Sequence, residues 1–412
     1  MKPIGPREFI ALAAAVMSIN AVAIDAMLPA LAAIGDALQA GDGNRRQWLI
    51  TVYLVGYGTM QIVCGMLSDH FGRKPVLLAG LGVYAAFAAL CTVAGSFETA
   101  VVLRLLQGCG GAVSVLSLSM IRDRHAGPEM VRVMSLAFML FLGVPSFAPS
   151  LGQWILWAAS WPWVFGAIAL FGLLLLPWVA LRLPETLAVE RRLPLSFEAM
   201  GRAMRTVLTQ RESAGYTSAS MLLFGALFGI VASGQQLFAN VFQAPDLFPL
   251  VFGAVAVCVA LAALLNGRLV GRFGPRRTGH VALLGYLAVA ALHAGIAWSG
   301  RESPWVFTVL QSATMFCFGL MISNFGAIAM AQLAHIAGTA SAVQSLVLNV
   351  GGALIGLLIG QHFDGTAVPM TLGVLVCAAM ALLLVLLTER GRLFQAVAAV
   401  GVAGRAIGPV VR

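Results

Sequence analysis

The sequence predicts an all-α membrane protein, with twelve transmembrane helices arranged as two six-helix bundles. Three observations carry this expectation. Of 412 residues, 60% are hydrophobic and 10% are charged, and the mean hydropathy is +0.92, whereas a soluble domain carries about 25% charged residues. The apolar residues come in runs of about 20, the length a helix needs to cross a bilayer. The basic residues cluster between alternate runs, as the positive-inside rule requires.

The first run, 9–34, follows Met1, Lys2 and Arg7, and Ala21-Val22-Ala23 looks like a cleavage site. The run is longer than the 7–15 residues or so of a signal-peptide core, so it is read as a retained first helix. The next spans are 47–68, 76–95, 98–121, 131–155 and 161–183. A second set follows at 214–238, 246–268, 278–298, 304–330, 339–361 and 369–388. With both termini inside, 21 of the 25 Lys and Arg residues lie in cytoplasmic segments; Arg45, Arg46 and Arg301 lie outside, and Arg104 lies within a span. The longest polar stretch, PETLAVERRLPLSFEAMGRAMRTVLTQRE, is punctuated by Pro184 and Pro194, and 196–209 suits an amphipathic helix on the inner surface. The expected units are therefore a bundle at 1–183, a cytoplasmic linker at 184–212, a bundle at 213–388 and a cytoplasmic tail at 389–412.

The halves share a weak repeat. GMLSDHFGRKPV (65–76) follows span 2 and GRLVGRFGPRRT (267–278) follows span 8. Gly65, Leu67, Phe71 and Gly72 match Gly267, Leu269, Phe273 and Gly274, while Gly271 stands where the first copy has Asp69. This points to duplicated six-helix units.

Other classes fit poorly. The net charge of +9 is spread over short loops with no basic domain, so no nucleic-acid partner is expected. All six cysteines lie in apolar runs without CxxC or histidine spacing, so no metal or cofactor is expected. An intramembrane enzyme would need a catalytic cluster. His70, His125, His280, His335 and His362 lie in or near loops, and His293, in span 9, has no acid or cysteine near it in sequence. A sensor would need an added soluble domain, for which the tail is short.

Polar residues within spans are the functional candidates, because an ionisable group at membrane depth is expensive. Asp25, in AIDAMLPAL, is the acid placed well inside a span. Pro29 cannot donate to the carbonyl of residue 25, so helix 1 should bend there and free an acceptor beside the carboxylate. Arg104 lies at a similar depth in span 4 and needs buried partners, with Asp25, Gln107 or helix-1 carbonyls as candidates. The bland alternatives are a helix-end acid and a snorkelling arginine. Tyr53, Tyr57 and Gln61 recur every four residues along span 2, a stripe that either lines a cavity or packs between helices. Asn20, Met17, Gln107 and Asn349 are further lining candidates, and Gly352-xxx-Gly356-xxx-Gly360 reads as close helix packing.

GMLSDHFGRKPVLL resembles the loop-2/3 signature of the major facilitator superfamily, carried here by Gly65, Asp69, Gly72, Arg73 and Lys74. AIDAMLPAL and VLRLLQGCGGA resemble the helix-1 and helix-4 motifs of its proton-coupled drug exporters. VPSFAPSLGQWIL resembles their helix-5 antiporter motif, with Pro145, Pro149 and Gly152, although Gly143-Val144-Pro145 and Gly152-Gln153 depart from the usual G-P and G-G. HIAGTAS (335–341) resembles the start of helix 11 in the bicyclomycin/chloramphenicol-resistance (Bcr/CflA) branch. The resemblance implies the major facilitator fold and a monomer in the bacterial inner membrane. It implies alternating-access export of small drug-like molecules against protons, with Asp25 and Arg104 in proton coupling. It also implies that Asp69 closes an inner gate near Gly338–Ser341. Met17 stands about two turns before Asp25, where some related exporters carry a second acid. A transporter of a natural solute such as a sugar, nucleoside or siderophore is the alternative.

Overall fold

The computed structural model describes residues 4–333 and 336–394. His335 and the tail beyond residue 394 lie outside the described residues. Twelve helices are long and apolar enough to cross a membrane, and the chain is a multi-pass membrane protein. Most helices outrun the apolar runs: span 2 is Arg45–Phe71, span 4 Phe97–Arg124 and span 8 Pro245–Phe273. Hydropathy marks only the hydrocarbon core, and the helices continue into the polar interface.

Span 1 is broken rather than continuous. It comprises Pro6–Met17, Ile19–Asp25, the tight turn Leu28–Ala30 and Leu31–Ala37. The Ser18 hydroxyl donates to the Ala14 carbonyl at 2.7 Å at the first break. The second break follows Asp25, as Pro29 requires. Ser96 and Ser303 cap spans 4 and 10 by accepting from the backbone N–H of Thr99 and Val306.

The packing repeats with a period of six spans. Spans 2, 3, 4 and 6 pack as the pairs 2 with 4, 3 with 4 and 3 with 6; the second half repeats them as 8 with 10, 9 with 10 and 9 with 12. The halves meet where span 5 packs on span 8 and span 2 on span 11, the two contacts that a pseudo-two-fold axis would exchange. Close packing depends on missing side chains. A Cβ on Gly56 would lie 2.2 Å from the Leu105 carbonyl oxygen, and one on Gly108 would lie 2.1 Å from that of Tyr53. Spans 2 and 4 thus meet backbone to backbone. Gly352 and Gly356 do the same against Phe224 and Phe228 of span 7.

The matched turns of the repeat also share a backbone. Gly72 and Gly274 both have positive φ, +104° and +78°, which only glycine adopts freely. A side chain at Gly72 would also collide with Glu185, whose Oε2 would be 2.5 Å from its Cβ. Glu185 opens the linker and caps span 3: its carboxylate accepts from the backbone N–H of Arg73 (2.9 Å), Lys74 (3.1 Å), Thr186 (2.9 Å) and Leu187 (3.0 Å). Burial works to raise this carboxyl, but the four N–H donors prevail and hold it below the usual glutamate range.

Beside that cap, Arg73 pairs with Asp69 and with Asp123 at 3.0 Å, and donates to Ser68 Oγ at 2.7 Å. The expected partner of Asp69, the start of span 11 near Gly338–Ser341, is replaced by Arg73, one helical turn away. The linker lies alongside: the Leu193 N–H donates to the Asp69 carbonyl at 2.9 Å. The linker helix, Phe197–Thr209, does not simply rest on a membrane surface. Its Met200, Met204 and Val207 pack with Ile62 and Met66 of span 2 and with Ala340 and Val343 of span 11.

Two outcomes follow from these contacts. Gly56→Val should destabilise by about 1–3 kcal/mol by forcing spans 2 and 4 apart, whereas Gly82→Ala, at a site with open space, should be neutral; thermal unfolding in detergent compares them. Glu185→Gln should cost about 1 kcal/mol at neutral pH. Because the folded carboxyl is depressed, its contribution is present above the unfolded value of about 4.3 and lost as pH falls through the lower folded value. The gap in melting temperature between wild type and Glu185→Gln should therefore close in acid.

Candidate functional site

A cavity of about 360 Å³ lies between the two halves. Spans 1, 2 and 5 supply Asn20, Asp25, Leu54, Tyr57 and Pro145, and spans 7, 8, 10 and 11 supply Phe224, Phe228, Phe252, Gln311 and Asn349. Its walls are apolar, aliphatic side chains interleaved with aromatic rings, and its polar groups are few, the usual character of a small-molecule site.

Asp25 ends its helical segment and is only 8% exposed. Among the described residues its carboxylate makes no hydrogen bond and no ion pair. The anionic form therefore needs a proton, water or a cation supplied by the cavity. The helix-5 motif shapes this wall. A Cβ on Gly152 would sit 2.0 Å from the Ala26 carbonyl oxygen, so span 5 crosses span 1 one residue beyond the acid. Pro145 lines the cavity two turns earlier on span 5, and Pro149 lies between them in the same helix.

Arg104 is fully buried but does not pair with Asp25. Its Nε donates to the Leu49 carbonyl at 3.1 Å and its Nη1 to Gln107 Oε1 at 2.7 Å. Its guanidinium stacks 4.4 Å from the Tyr53 ring centre. Of the expected partners only Gln107 is realised, and the carbonyl comes from span 2 rather than span 1, because spans 2 and 4 approach so closely. A chain of contacts runs from this cluster to the cavity: Tyr53 OH donates to Asn20 Oδ1 at 2.7 Å, and Asn20 Nδ2 to Ser114 Oγ at 2.7 Å.

The lining expectations divide. Asn20, Tyr57 and Asn349 line the cavity. Tyr53 and Gln107 do not; both are fully buried in the Arg104 cluster. Gln61 is buried deeper along span 2, and Met17 packs into the core of the bundle without reaching the cavity. The stripe 53–57–61 thus combines both readings: Leu54 lines the cavity at nearly the same height as Tyr53, so Tyr53 is absent from the wall because it faces Arg104 of span 4.

Sequence reasoning missed the other half of the wall. Phe224 and Phe228, and Phe248 and Phe252, recur at i,i+4, the spacing that places two rings on one helix face. Gln311 Nε2 is buried with no protein partner, a single amide within an apolar run. Span 11 carries a π-helical turn at Val347–Gly351, which contains Asn349. His293 has an acid after all: Glu302, nine residues on, returns across the hairpin to 2.6 Å, and the histidine ring packs against cavity-lining Phe307.

On the arginine-poor face, buried amides join the halves. Gln47 Nε2 donates to Gln236 Oε1 at 2.6 Å and to the Gly360 carbonyl at 3.0 Å. Asn44 Nδ2 donates to the Phe363 carbonyl at 2.9 Å, and Gln361 Nε2 to the Asn44 carbonyl at 2.7 Å. Spans 2, 7 and 11 are thus latched above the cavity by directional but uncharged bonds.

The chain resembles known proteins throughout its length. A bicyclomycin resistance protein homolog of Haemophilus influenzae is 29% identical, over 87% of this chain and 90% of its own. A chloramphenicol resistance protein of Pseudomonas aeruginosa is 28% identical, over 87% and 85%. Multidrug resistance protein D of Escherichia coli is 25% identical, over 80% and 83%. In structure, the xylose transporter XylE from E. coli in a partially occluded inward-open conformation superposes with a TM-score of 0.73 at 13% identity, covering 93% of this chain and 97% of that one. The Major Facilitator Superfamily model matches residues 10–356. A duplicated helix pairing, a cavity on the axis between the halves and this match lead to one assignment: the chain belongs to the major facilitator superfamily.

Proposed function

We propose that this protein is a proton-coupled exporter of small drug-like molecules that works by alternating access. The observation that carries the reading is the Asp25 carboxylate, buried at the cavity wall and left unpaired by the protein. A proton and a substrate group then compete for one acid, and each stabilises a different arrangement of the two halves. The aromatic wall suits flat, apolar or amphipathic molecules, and a cationic or hydrogen-bond-donating centre would face Asp25. The names of the relatives, which speak of resistance to bicyclomycin, chloramphenicol and multiple drugs, support export over uptake.

In this reading 1–183 and 213–388 are the moving bundles and 184–212 ties them together. The clustering of 21 of 25 basic residues in alternate segments of the sequence supports a reading in which those segments, and both termini, are cytoplasmic in a bacterial inner membrane. The amide latch then seals the outer side. Arg104 positions Tyr53, and through it Asn20 at the cavity wall, and the Asp69–Arg73–Asp123 cluster holds the inner ends of spans 2, 3 and 4. Gln311 and Asn349 favour a second reading, a polar natural solute, because both present amides to the cavity.

The test uses a pump-deficient bacterium expressing wild type or Asp25→Asn at equal membrane levels. Growth is scored against amphenicols, bicyclomycin-like compounds, lipophilic cations and fluoroquinolones. Wild type should protect against part of the panel, and Asp25→Asn should reduce protection to that of cells without the gene. Substrate-driven proton movement in inverted vesicles should vanish with it. Equal protection by both forms removes Asp25 from coupling, absence of protection favours the natural-solute reading, and sensitisation by wild type means uptake.

A further inference from the structure

A second cavity, of about 430 Å³, opens on the outside of the second bundle at its arginine-rich end. Span 9 forms its floor through Thr278, Val281, Ala282 and Gly285, a stripe at helical spacing that climbs about 10 Å into the bilayer. Leu269 and Phe273 of span 8 and Cys317 and Leu320 of span 10 form its sides. Gly285 keeps the groove open, since even a Cβ there would come within 3.3 Å of Cys317 Sγ. The groove faces lipid: Val281 is 57% exposed, and Leu284 and Leu292 on the same span are also exposed.

Charge marks one end of this groove. Arg272 and Arg277 both stack on the Phe273 ring, at 5.3 and 5.6 Å from its centre, and both are exposed. Among the described residues no carboxylate pairs with either. The matching turn of the first half is different. There Arg73 is held by Asp69 and Asp123, and Lys74 donates to the Ala180 carbonyl. In the second half only Arg276 is neutralised, by Glu212 and Glu389. The repeat places Gly271 where Asp69 would be, Arg272 where His70 would be and Arg277 where Pro75 would be. The second turn has thus lost the acid and, with Pro275 where Arg73 would be, has exchanged a paired cation for the unpaired Arg272 and Arg277 at headgroup level.

We propose that this groove binds one anionic phospholipid, with its phosphate against Arg277 and Arg272 and one acyl chain along Thr278–Gly285. A groove that is apolar at bilayer depth and doubly cationic at the interface complements a lipid with net negative charge better than a zwitterionic one. The surface is in contact with lipid in any orientation of the protein, so the site stands independently of the transported substrate.

Native mass spectrometry of the purified protein in mild detergent tests this. Phosphatidylglycerol and phosphatidylethanolamine of matched chains are titrated into wild type, an Arg272→Gln/Arg277→Gln double variant and Val281→Trp, with melting temperature as a folding check. Wild type should retain one phosphatidylglycerol with roughly thirtyfold preference, on the order expected of two near-surface cations. The double variant should lose the preference, and Val281→Trp, which fills the groove and keeps the charges, should weaken retention of both lipids. Inorganic phosphate should not displace the bound lipid. Equal retention of the two lipids by wild type, an unchanged preference in the double variant, unchanged retention by Val281→Trp, or displacement by inorganic phosphate would each overturn the assignment.

Discussion

Asp25 and Arg104 are opposite charges buried within the spans of the first bundle, and the structure keeps them unpaired. Arg104 is held by the Leu49 carbonyl, Gln107 and the Tyr53 ring, with its Nη2 buried and without a protein partner, and none of these contacts involves Asp25. Had the two paired, the acid would be permanently compensated, and breaking a buried pair costs several kcal/mol. Held apart, the carboxylate keeps its demand for a partner and directs it into the cavity. The separation depends on backbone contact: Gly56 and Gly108 let span 4 approach span 2 until Arg104 reaches a span 2 carbonyl.

The duplicated fold accounts for where the functional features sit. The span pairings of one half recur in the other, and both loop copies turn on a positive-φ glycine. The chemistry has not been duplicated with the scaffold. The first half holds the unpaired acid and a charge-balanced turn around Arg73. The second contributes most of the aromatic wall, and its turn leaves Arg272 and Arg277 without acids. Twofold geometry makes the cavity, and differences between the copies make its two walls unlike.

Much of the fold was legible because the bilayer imposes a strong rule on sequence. Twenty-residue apolar runs, the Arg/Lys asymmetry and the break after Asp25 at Pro29 all follow from local chemistry. The residues that were misplaced share one feature: their fate depends on which helix faces them. Tyr53 and Tyr57 are equivalent by periodicity, yet Tyr53 meets span 4 and Tyr57 meets the cavity. Asp69, expected near the start of span 11, forms its ion pair with Arg73, four residues on. Asp123 and Glu185 complete that cluster from span 4 and the linker, and no local spacing announces a contact over 50 or more residues. His293 and Glu302 fall between these cases, since a hairpin between spans 9 and 10 brings them together.

The polar groups joining the halves also bear on how the molecule moves. On the arginine-poor face the halves are joined by amides, Gln47 with Gln236 and Asn44 with Gln361, and on the other face by the apolar contacts of Met200, Ile62 and Val343. Neither is an ion pair, whose separation would leave uncompensated charges. Amides released from one another are readily taken up by water, so each bond contributes only about 1 kcal/mol net. Contacts of this kind can be exchanged without a large barrier, so that on the proposed reading the balance between two arrangements falls within reach of a single proton or substrate at Asp25. For the proposed exporter, a carboxylate left unsatisfied by the protein and interfaces held by weak, reversible bonds are complementary requirements: the first would supply the differential binding energy, and the second would keep the energy needed small.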